Sequence, residues 1–278
     1  MREPFEVIDP TGAETPVVVE IAHSGLDMPP HYLAPLSAPA RALARDADLF
    51  VDGLYEDAPA EGAHVLVART SRYAIDVNRA DSDVDSEVVE GERSDVLLHH
   101  GLVWRTTSDG EPALARRLTR AELDERLDRI WRPYHRTLAS LIEAKRARFG
   151  LCVVIAAHSM PSVERAGGNG RGGGSPSRPR ADVVPGTRGR RSAGARYIDA
   201  VEALATARGW TVRLDEPYAG GFTTQHYGRP ADAVHVVQVE LARRLYLDEA
   251  TLRPSPAFGQ VRAWCRGLVA ELGRLARA

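Results

Sequence analysis

The chain has 278 residues, of which 44% are hydrophobic and 27% are charged, enough apolar material for one large domain or two small ones with a sizeable core. Its formal net charge of −2 gives no overall field that would attract nucleic acid or an anionic membrane, so neither is expected as a partner. The first residues, M-R-E-P-F-E-V-I-D, contain no apolar signal core, and no apolar run approaches the roughly 20 residues that span a bilayer. We therefore expect a cytoplasmic protein.

Short apolar segments alternate with helical patterns along the chain. Segments rich in valine and isoleucine predict strands at residues 17–22, 63–68, 152–157, 211–214 and 235–240. Apolar residues that recur every three or four positions predict helices at residues 38–56, 120–148, 194–208 and 256–278. Thr119 and Glu122 resemble a capping box, which supports a helix start at Arg120. Because the strands are continuously apolar, the pattern predicts a mainly parallel, buried sheet in a single three-layer α/β/α domain.

Residues 164 to 194 interrupt this pattern with a segment dense in glycine, proline and arginine. Such a composition cannot pack a core of its own, so we expect a long loop inserted into the domain. A loop of this length is a candidate lid over a site, although a solvated linker has the same composition. Gly/Arg tracts also bind phosphate backbones, but few aromatic residues are interleaved here for base stacking.

The same short motif follows two of the predicted strands. V-V-V-E-I-A-H-S-G places His23 after the first strand, and C-V-V-I-A-A-H-S-M places His158 after the third. The last strand, H-V-V-Q-V-E, closes with Glu240. Because ligands gather at the carboxyl ends of parallel strands, we expect these three side chains to meet at one edge of the sheet.

Two histidines and a carboxylate are the ligands of many catalytic zinc sites, which keep a fourth position for water and use a further carboxylate as a base. A single histidine after a strand is more often a hydrogen-bonded loop residue. The duplicated context of His23 and His158 favours the metal site over that alternative.

Further blocks carry a family resemblance over about residues 17 to 250. Taken in chain order, they resemble the N-formylglutamate amidohydrolase family: V-E-I-A-H-S-G, D-L-F-V-D-G-L, R-Y-A-I-D-V-N-R, G-L-V-W-R, W-R-P-Y-H-R-T-L, A-H-S-M-P-S, A-D-V-V-P-G, P-Y-A-G-G-F-T-T-Q-H-Y-G-R-P and V-V-Q-V-E-L-A-R-R-L-Y-L-D-E. The resemblance implies a zinc-dependent hydrolase with a fold similar to zinc carboxypeptidases and aspartoacylases. It also implies hydrolysis of N-formyl-L-glutamate to formate and L-glutamate, a late step of histidine degradation.

The resemblance assigns His23 and His158 as Zn²⁺ ligands. The family usually has Glu-Asp at the positions of Ala47 and Asp48, so we expect Asp48 to complete the ligand set, with Asp46 as the second choice.

Two other positions depart from the family pattern. Ala156 stands where D-x-H-S has an aspartate, which could orient a ligand or its water from the same face of the strand. Gln225 stands where an arginine is common, and this removes one possible cation from the substrate pocket.

The expected chemistry assigns the remaining roles. Glu240 suits a general base that takes a proton from water and returns it to the leaving amine. The two carboxylates of formylglutamate need cationic partners, and arginine fits their geometry well. Arg72 and the Asn78-Arg79 pair are the candidates; that pair is similar to the one that binds the terminal carboxylate in zinc carboxypeptidases. One of these arginines, or His226, would stabilise the oxyanion.

Gly220 and Gly221 permit a close backbone approach and predict a turn that lines the substrate pocket, although a plain hairpin turn has the same signature. We expect Thr224 and His226, which are close in sequence, to contact the substrate as well.

The sequence thus predicts an amidohydrolase that acts on a small N-acyl amino acid. The alternative is a relative that has lost or changed the chemistry and acts as a small-molecule-binding protein or on another N-acyl amino acid. The departures at Ala47, Ala156 and Gln225 keep that alternative open, whereas His23, His158, Arg79 and Glu240 argue against it.

Overall fold

The computed structural model of the protein describes residues 3–92, 97–164 and 178–277. A six-stranded mixed sheet forms the centre, in the order β1-β3-β2-β4-β6-β5. The strands are β1 (Phe5–Ile8), β2 (Val17–Ile21), β3 (His64–Ala68), β4 (Cys152–Met160), β5 (Val183–Gly186) and β6 (Val234–Ala242). The four inner strands run parallel, and the two edge strands β1 and β5 run antiparallel to their neighbours.

Helices surround the sheet. They are α1 (Pro30–Leu33), α2 (Ala40–Asp46), α3 (Val51–Leu54), α4 (Arg120–Arg126), α5 (Arg132–Phe149), α6 (Ala195–Ala207), α7 (Phe222–Tyr227) and α8 (Phe258–Leu275). A short hairpin of β7 (Leu247–Asp248) and β8 (Arg253–Pro254) precedes α8. No helix in the described parts of the chain combines the length and the hydrophobicity needed to cross a membrane.

The sheet separates two apolar cores, because successive side chains of a strand point to opposite faces. Val17, Val19 and Ile21 pack in one core with α3, α6 and α8. Val18 packs in the other core with α4 and α5. This arrangement confirms the predicted α/β class, with a mainly parallel mixed sheet between layers of helices.

The predicted strands at residues 17–22, 63–68, 152–157 and 235–240 are confirmed as β2, β3, β4 and β6. The strand predicted at residues 211–214 is wrong, because that segment makes only a single parallel bridge, from Val212 to Val183. Part of the predicted loop is instead ordered as β5, a buried edge strand. Residues 165–177 of that loop lie outside the described residues, so its role as a lid stays a prediction.

Two predicted helices are divided in the structure. The helix predicted at 38–56 becomes α2 and α3, since the chain leaves the helix at Ala47 and passes through Phe50 with φ of 64°. The helix predicted at 120–148 begins with the expected Thr119–Glu122 capping box. It passes through a wider π-helical turn at Leu127–Trp131 before α5. Pro133 follows this turn, and its missing N–H is compatible with the altered pairing.

Candidate active site

Three predicted ligand residues meet at the carboxyl edge of the sheet. His23 follows β2, His158 lies near the end of β4, and Asp48 lies in the break between α2 and α3. All three are buried, and one ligand atom from each falls within 4.8 Å of the others. The Asp48 amide donates to the carbonyl of His23 at 2.9 Å, which ties the break in the helix to the end of β2.

The histidine rings present their Nδ1 atoms to Asp48. The distance from Asp48 Oδ2 is 3.0 Å for His158 and 3.5 Å for His23. Burial alone would lower the pKa of His158, but the hydrogen bond to Asp48 and the charge of Glu240 raise it to about 9. Burial likewise opposes ionisation of Asp48, yet His158 and His23 hold the pKa of that carboxyl well below its usual range. The cluster therefore stabilises a positive charge at its centre.

Asp76 fixes the orientation of His23. Its Oδ1 lies 2.7 Å from His23 Nε2 and also accepts from the amide of Asn78. Its Oδ2 accepts two hydrogen bonds from Arg72 and one from Trp104. Burial would raise the pKa of Asp76, but Arg72 and His23 outweigh it and hold the pKa well below its usual range. A carboxylate behind a histidine in this way sets the tautomer that leaves Nδ1 open for a metal.

Asp48 has polar support besides the imidazoles. Arg243, which is buried, places Nη2 3.4 Å from Asp48 Oδ1 and 2.8 Å from the carbonyl oxygen of Ala47. Ser159 donates to the same carboxylate oxygen at 3.3 Å. The second-choice ligand, Asp46, is committed elsewhere, because its Oδ2 accepts from the Tyr73 hydroxyl and from a backbone amide.

Glu240 stands directly beside His158 in the sheet register. Its Oε1 accepts from Gln238 at 2.8 Å. Burial is the main cause that raises the pKa of Glu240, although His158 opposes the shift. A carboxyl with a raised pKa next to a possible metal site is suited to take up a proton and release it again.

The three candidate metal ligands and Glu240 line one cavity of about 400 Å³. Among the predicted substrate residues, the cavity is also lined by Arg72, Asn78, Arg79, Gly220 and Gly221. Thr224 instead lies fully buried behind Gly220. His226 is exposed, stacks on Phe222 and lines an adjoining cavity. Neither Thr224 nor His226 therefore lines the cavity that holds the candidate metal ligands.

Gly221 lies where the substrate-lining turn meets Asn78. A Cβ added at Gly221 would come within 2.4 Å of Asn78 Nδ2, so a side chain does not fit there. The amide of Gly221 donates to Gln238 at 2.8 Å. The amide of Thr223 donates to Asn78 Oδ1 at 3.0 Å, and this contact turns Asn78 Nδ2 toward His158 Nε2, 3.3 Å away.

Sequence reasoning missed several residues of this site, among them Asp76, Gln238, Arg243 and Arg188, which lines the cavity. Asp76 and Arg243 both lie inside the blocks that carry the family resemblance, but a single block does not show which buried ligand each one contacts. Gln238 precedes Glu240 by two residues and therefore points to the same face of β6, a signal that was available from the sequence.

A buried His-Asp-His cluster beside a glutamate, at the carboxyl edge of a mainly parallel sheet, is an arrangement of metal-dependent hydrolases. The model of the N-formylglutamate amidohydrolase family matches residues 15–247, and the chain belongs to this family.

Individual relatives agree with the family match. N-formylglutamate deformylase of Pseudomonas aeruginosa is 33% identical over 250 residues, which are 88% of this chain and 86% of the relative. The Pseudomonas putida enzyme of the same name is 32% identical, over 84% and 82%. The crystal structure of N-formylglutamate amidohydrolase from Ralstonia eutropha is 31% identical and superposes with a TM-score of 0.87 over 99% of both chains. A gene product of Agrobacterium tumefaciens shares the fold at a TM-score of 0.68 and 20% identity.

Proposed function

We propose that the chain hydrolyses N-formyl-L-glutamate to formate and L-glutamate, with Zn²⁺ held by His23, Asp48 and His158. The observation that carries this proposal is the buried ligand cluster, whose ligand atoms lie within 4.8 Å of one another on the wall of an arginine-lined cavity. Relatives that are 33% and 32% identical bear the name N-formylglutamate deformylase, which supports the choice of substrate.

The donor set fits zinc. Two imidazoles and one carboxylate are a common ligand set for a catalytic zinc ion, which keeps a further position for water. Asp76 is hydrogen-bonded to His23, and Arg243 is hydrogen-bonded to Asp48. Metal ligands are commonly oriented by such partners. The cluster also attracts a positive charge, as the raised pKa of His158 indicates.

Each protein group has a role in the hydrolysis of the formamide. When bound, zinc would polarise the formyl carbonyl and lower the pKa of a water molecule toward about 7. Glu240 accepts the proton of that water and then returns it to the leaving amine. Arg79 binds a carboxylate of the substrate from the cavity wall. Its Nε donates to the His100 carbonyl at 2.8 Å, which fixes the plane of the guanidinium.

Arg72 acts mainly through Asp76. Two of its nitrogens donate to that carboxylate, and a third donates to the carbonyl of Asp46. Arg72 therefore stabilises the partner of His23 and adds positive potential to the cavity. Hydrolysis as a step of histidine degradation, in the cytoplasm, is the physiological role that we expect from the resemblance.

Metal analysis and an assay of formate release test this function. We expect untagged protein to carry about one zinc per chain and to release formate from N-formyl-L-glutamate. His23→Ala and His158→Ala should lose both properties. Stoichiometric metal in the double variant would remove the proposed site, and metal-loaded protein that releases no formate would instead favour a binding protein.

A further inference from the structure

A strained turn follows β5 at the mouth of the cavity. Arg188, Gly189 and Arg190 have φ values of 55°, 71° and 61°. Left-handed backbone is uncommon for residues other than glycine, and two arginines that share it in one turn cost stability. Such a conformation persists only where its surroundings enforce it, and it is a reason to look for a function.

The surroundings do enforce this turn. The carboxylate of Asp215 accepts hydrogen bonds from Thr187 and, at 2.8 Å, from the amide of Gly189. The Thr187 hydroxyl oxygen accepts from the amide of Arg190 at 2.9 Å. The amide of Arg188 donates to the carbonyl of Ala219 at 2.8 Å. These bonds join the turn to the loop that carries Gly220 and Gly221.

The turn places the Arg188 side chain on the wall of the cavity. Its Nη1 donates to the carbonyl of Gly220 at 3.3 Å. The residue lines both the cavity with the candidate metal ligands and the adjoining cavity, and it shares both walls with Arg79. The two arginines therefore face the same space from two separate loops.

The arginines that line the cavity differ in whether they pair with a carboxylate. Arg72 pairs with Asp76, Arg243 with Asp48, and Arg45 with Asp109. Within residues 3–92, 97–164 and 178–277, Arg79 and Arg188 form no ion pair with an acidic side chain. Both donate hydrogen bonds to backbone carbonyl oxygens instead. Two guanidinium groups without a carboxylate partner match a ligand that brings two carboxylates.

We propose that Arg188 binds the side-chain carboxylate of the substrate and sets the preference for acidic N-acyl amino acids, while Arg79 binds the α-carboxylate. This inference rests on the proposed function and assigns the specificity of the same site. Arg190 provides an internal control, because it has the same backbone conformation but points outward and pairs with Asp199 and Glu202.

The test compares N-formyl-L-glutamate with N-formyl-L-glutamine in Arg188→Asn, Arg188→Lys and Arg190→Asn. Asparagine tolerates the left-handed backbone, so Arg188→Asn removes the charge without new strain. We expect kcat/KM for formylglutamate to fall roughly 10- to 100-fold in Arg188→Asn, mainly through KM, because a charge-assisted hydrogen bond is lost. The value for formylglutamine should change less than about threefold, because its side-chain amide brings no charge for Arg188 to pair with. Arg188→Lys should recover part of the loss, and Arg190→Asn should match the wild type.

An equal fall for both substrates, or a fall confined to kcat, would overturn the specificity role and make Arg188 a structural residue. Calorimetric titration with L-glutamate and L-glutamine separates this result from the chemistry. If the wild-type protein releases no formate, the proposed function fails. A preference for glutamate that disappears in Arg188→Asn would still support the assignment of Arg188, whereas a preference that persists, or is absent in the wild type, would overturn it.

Discussion

Two buried polar clusters lie on the same face of the sheet, and one of them lines the cavity with the candidate metal ligands. The outer cluster contains His158 and Glu240, which stand side by side on β4 and β6. The inner cluster lies one row deeper, where Glu20 pairs in register with Ala156. Glu20 Oε1 accepts from the Tyr134 hydroxyl at 2.6 Å. Both glutamates are buried, and burial raises the pKa of each.

The difference between the two glutamates is access. Glu240 lines the cavity beside the candidate metal ligands, so its proton can be exchanged with water or substrate. Glu20 is enclosed beneath α5, and among the described residues its Oε2 has no hydrogen-bond partner. Both carboxyl groups are therefore buried and have a raised pKa. Contact with the cavity is the feature that distinguishes the catalytic candidate, Glu240, from the structural residue, Glu20.

The sharpest test of this comparison exchanges each glutamate for glutamine. Because an amide cannot accept the proton, Glu240→Gln should lower kcat by roughly 10²- to 10⁴-fold and keep its metal. Glu20→Gln should retain kcat within about tenfold, since it touches no reacting atom. Formate release and metal content measure both. Asp48→Asn should show the opposite pattern to Glu240→Gln: weak metal binding, with activity partly restored by excess zinc. Full activity in Glu240→Gln would remove that residue from the mechanism.

Asp76 should matter to the outer cluster without touching a metal. In Asp76→Asn the amide replaces the carboxylate behind His23, and we expect metal affinity to fall about 10- to 100-fold, the usual effect of a lost partner behind a ligand. Competition with a zinc chelator measures the change. The matched variant Asp46→Asn removes a carboxylate that lines the cavity and is bonded to Tyr73, and it should retain the wild-type affinity. Equal losses in both variants would indicate a general charge effect.

The inner cluster should affect stability more than activity. Tyr134→Phe removes the hydroxyl that donates to Glu20 and leaves the buried carboxylate without its strongest partner. We expect the free energy of unfolding to fall by about 1–3 kcal/mol, the cost of leaving a buried polar group unsatisfied. Denaturant titration at pH 7 measures it. A variant with wild-type stability and a large loss of kcat would contradict the division between the two clusters.

A smaller effect concerns pH. Burial is the main cause that lowers the pKa of His135 from its ordinary 6.5 to about 4, although the Val77 carbonyl at 2.8 Å opposes it. The unfolded chain therefore binds a proton at higher pH than the folded protein does. The stability is fully present above about pH 6.5 and falls as the pH drops toward 4, by about 1 kcal/mol between pH 7 and pH 5.5. His135→Gln should lose this component of the pH dependence, and an unchanged slope would show that other groups cause it.

The central strands and the histidines at their ends were predictable from the sequence. Continuous runs of valine and isoleucine require burial on both faces, which a parallel sheet between helices provides. The carboxyl ends of such strands share one edge, so His23, His158 and Glu240 could be brought together without coordinates. The contacts of Asp76 with His23 and of Arg243 with Asp48 could not be predicted, because the partners are 53 and 195 residues apart in the chain.

What the sequence by itself determined is the local pattern: which segments form the inner strands, where α5 and α8 lie, and which side chains end the strands. Only the tertiary structure decided the rest, since long-range contacts override local preference. The apolar period across residues 38–56 predicts one helix. In the structure this helix ends at Asp46, and the amide of Asp48 donates instead to the carbonyl of His23. β5 has the short sequence Val-Val-Pro-Gly and lies in a segment dense in glycine, proline and arginine. It forms a strand because its backbone pairs with the edge of β6. The turn after β5 places Arg188 on the cavity wall because Asp215 and Ala219 bond to its backbone, and no periodic pattern encodes those contacts.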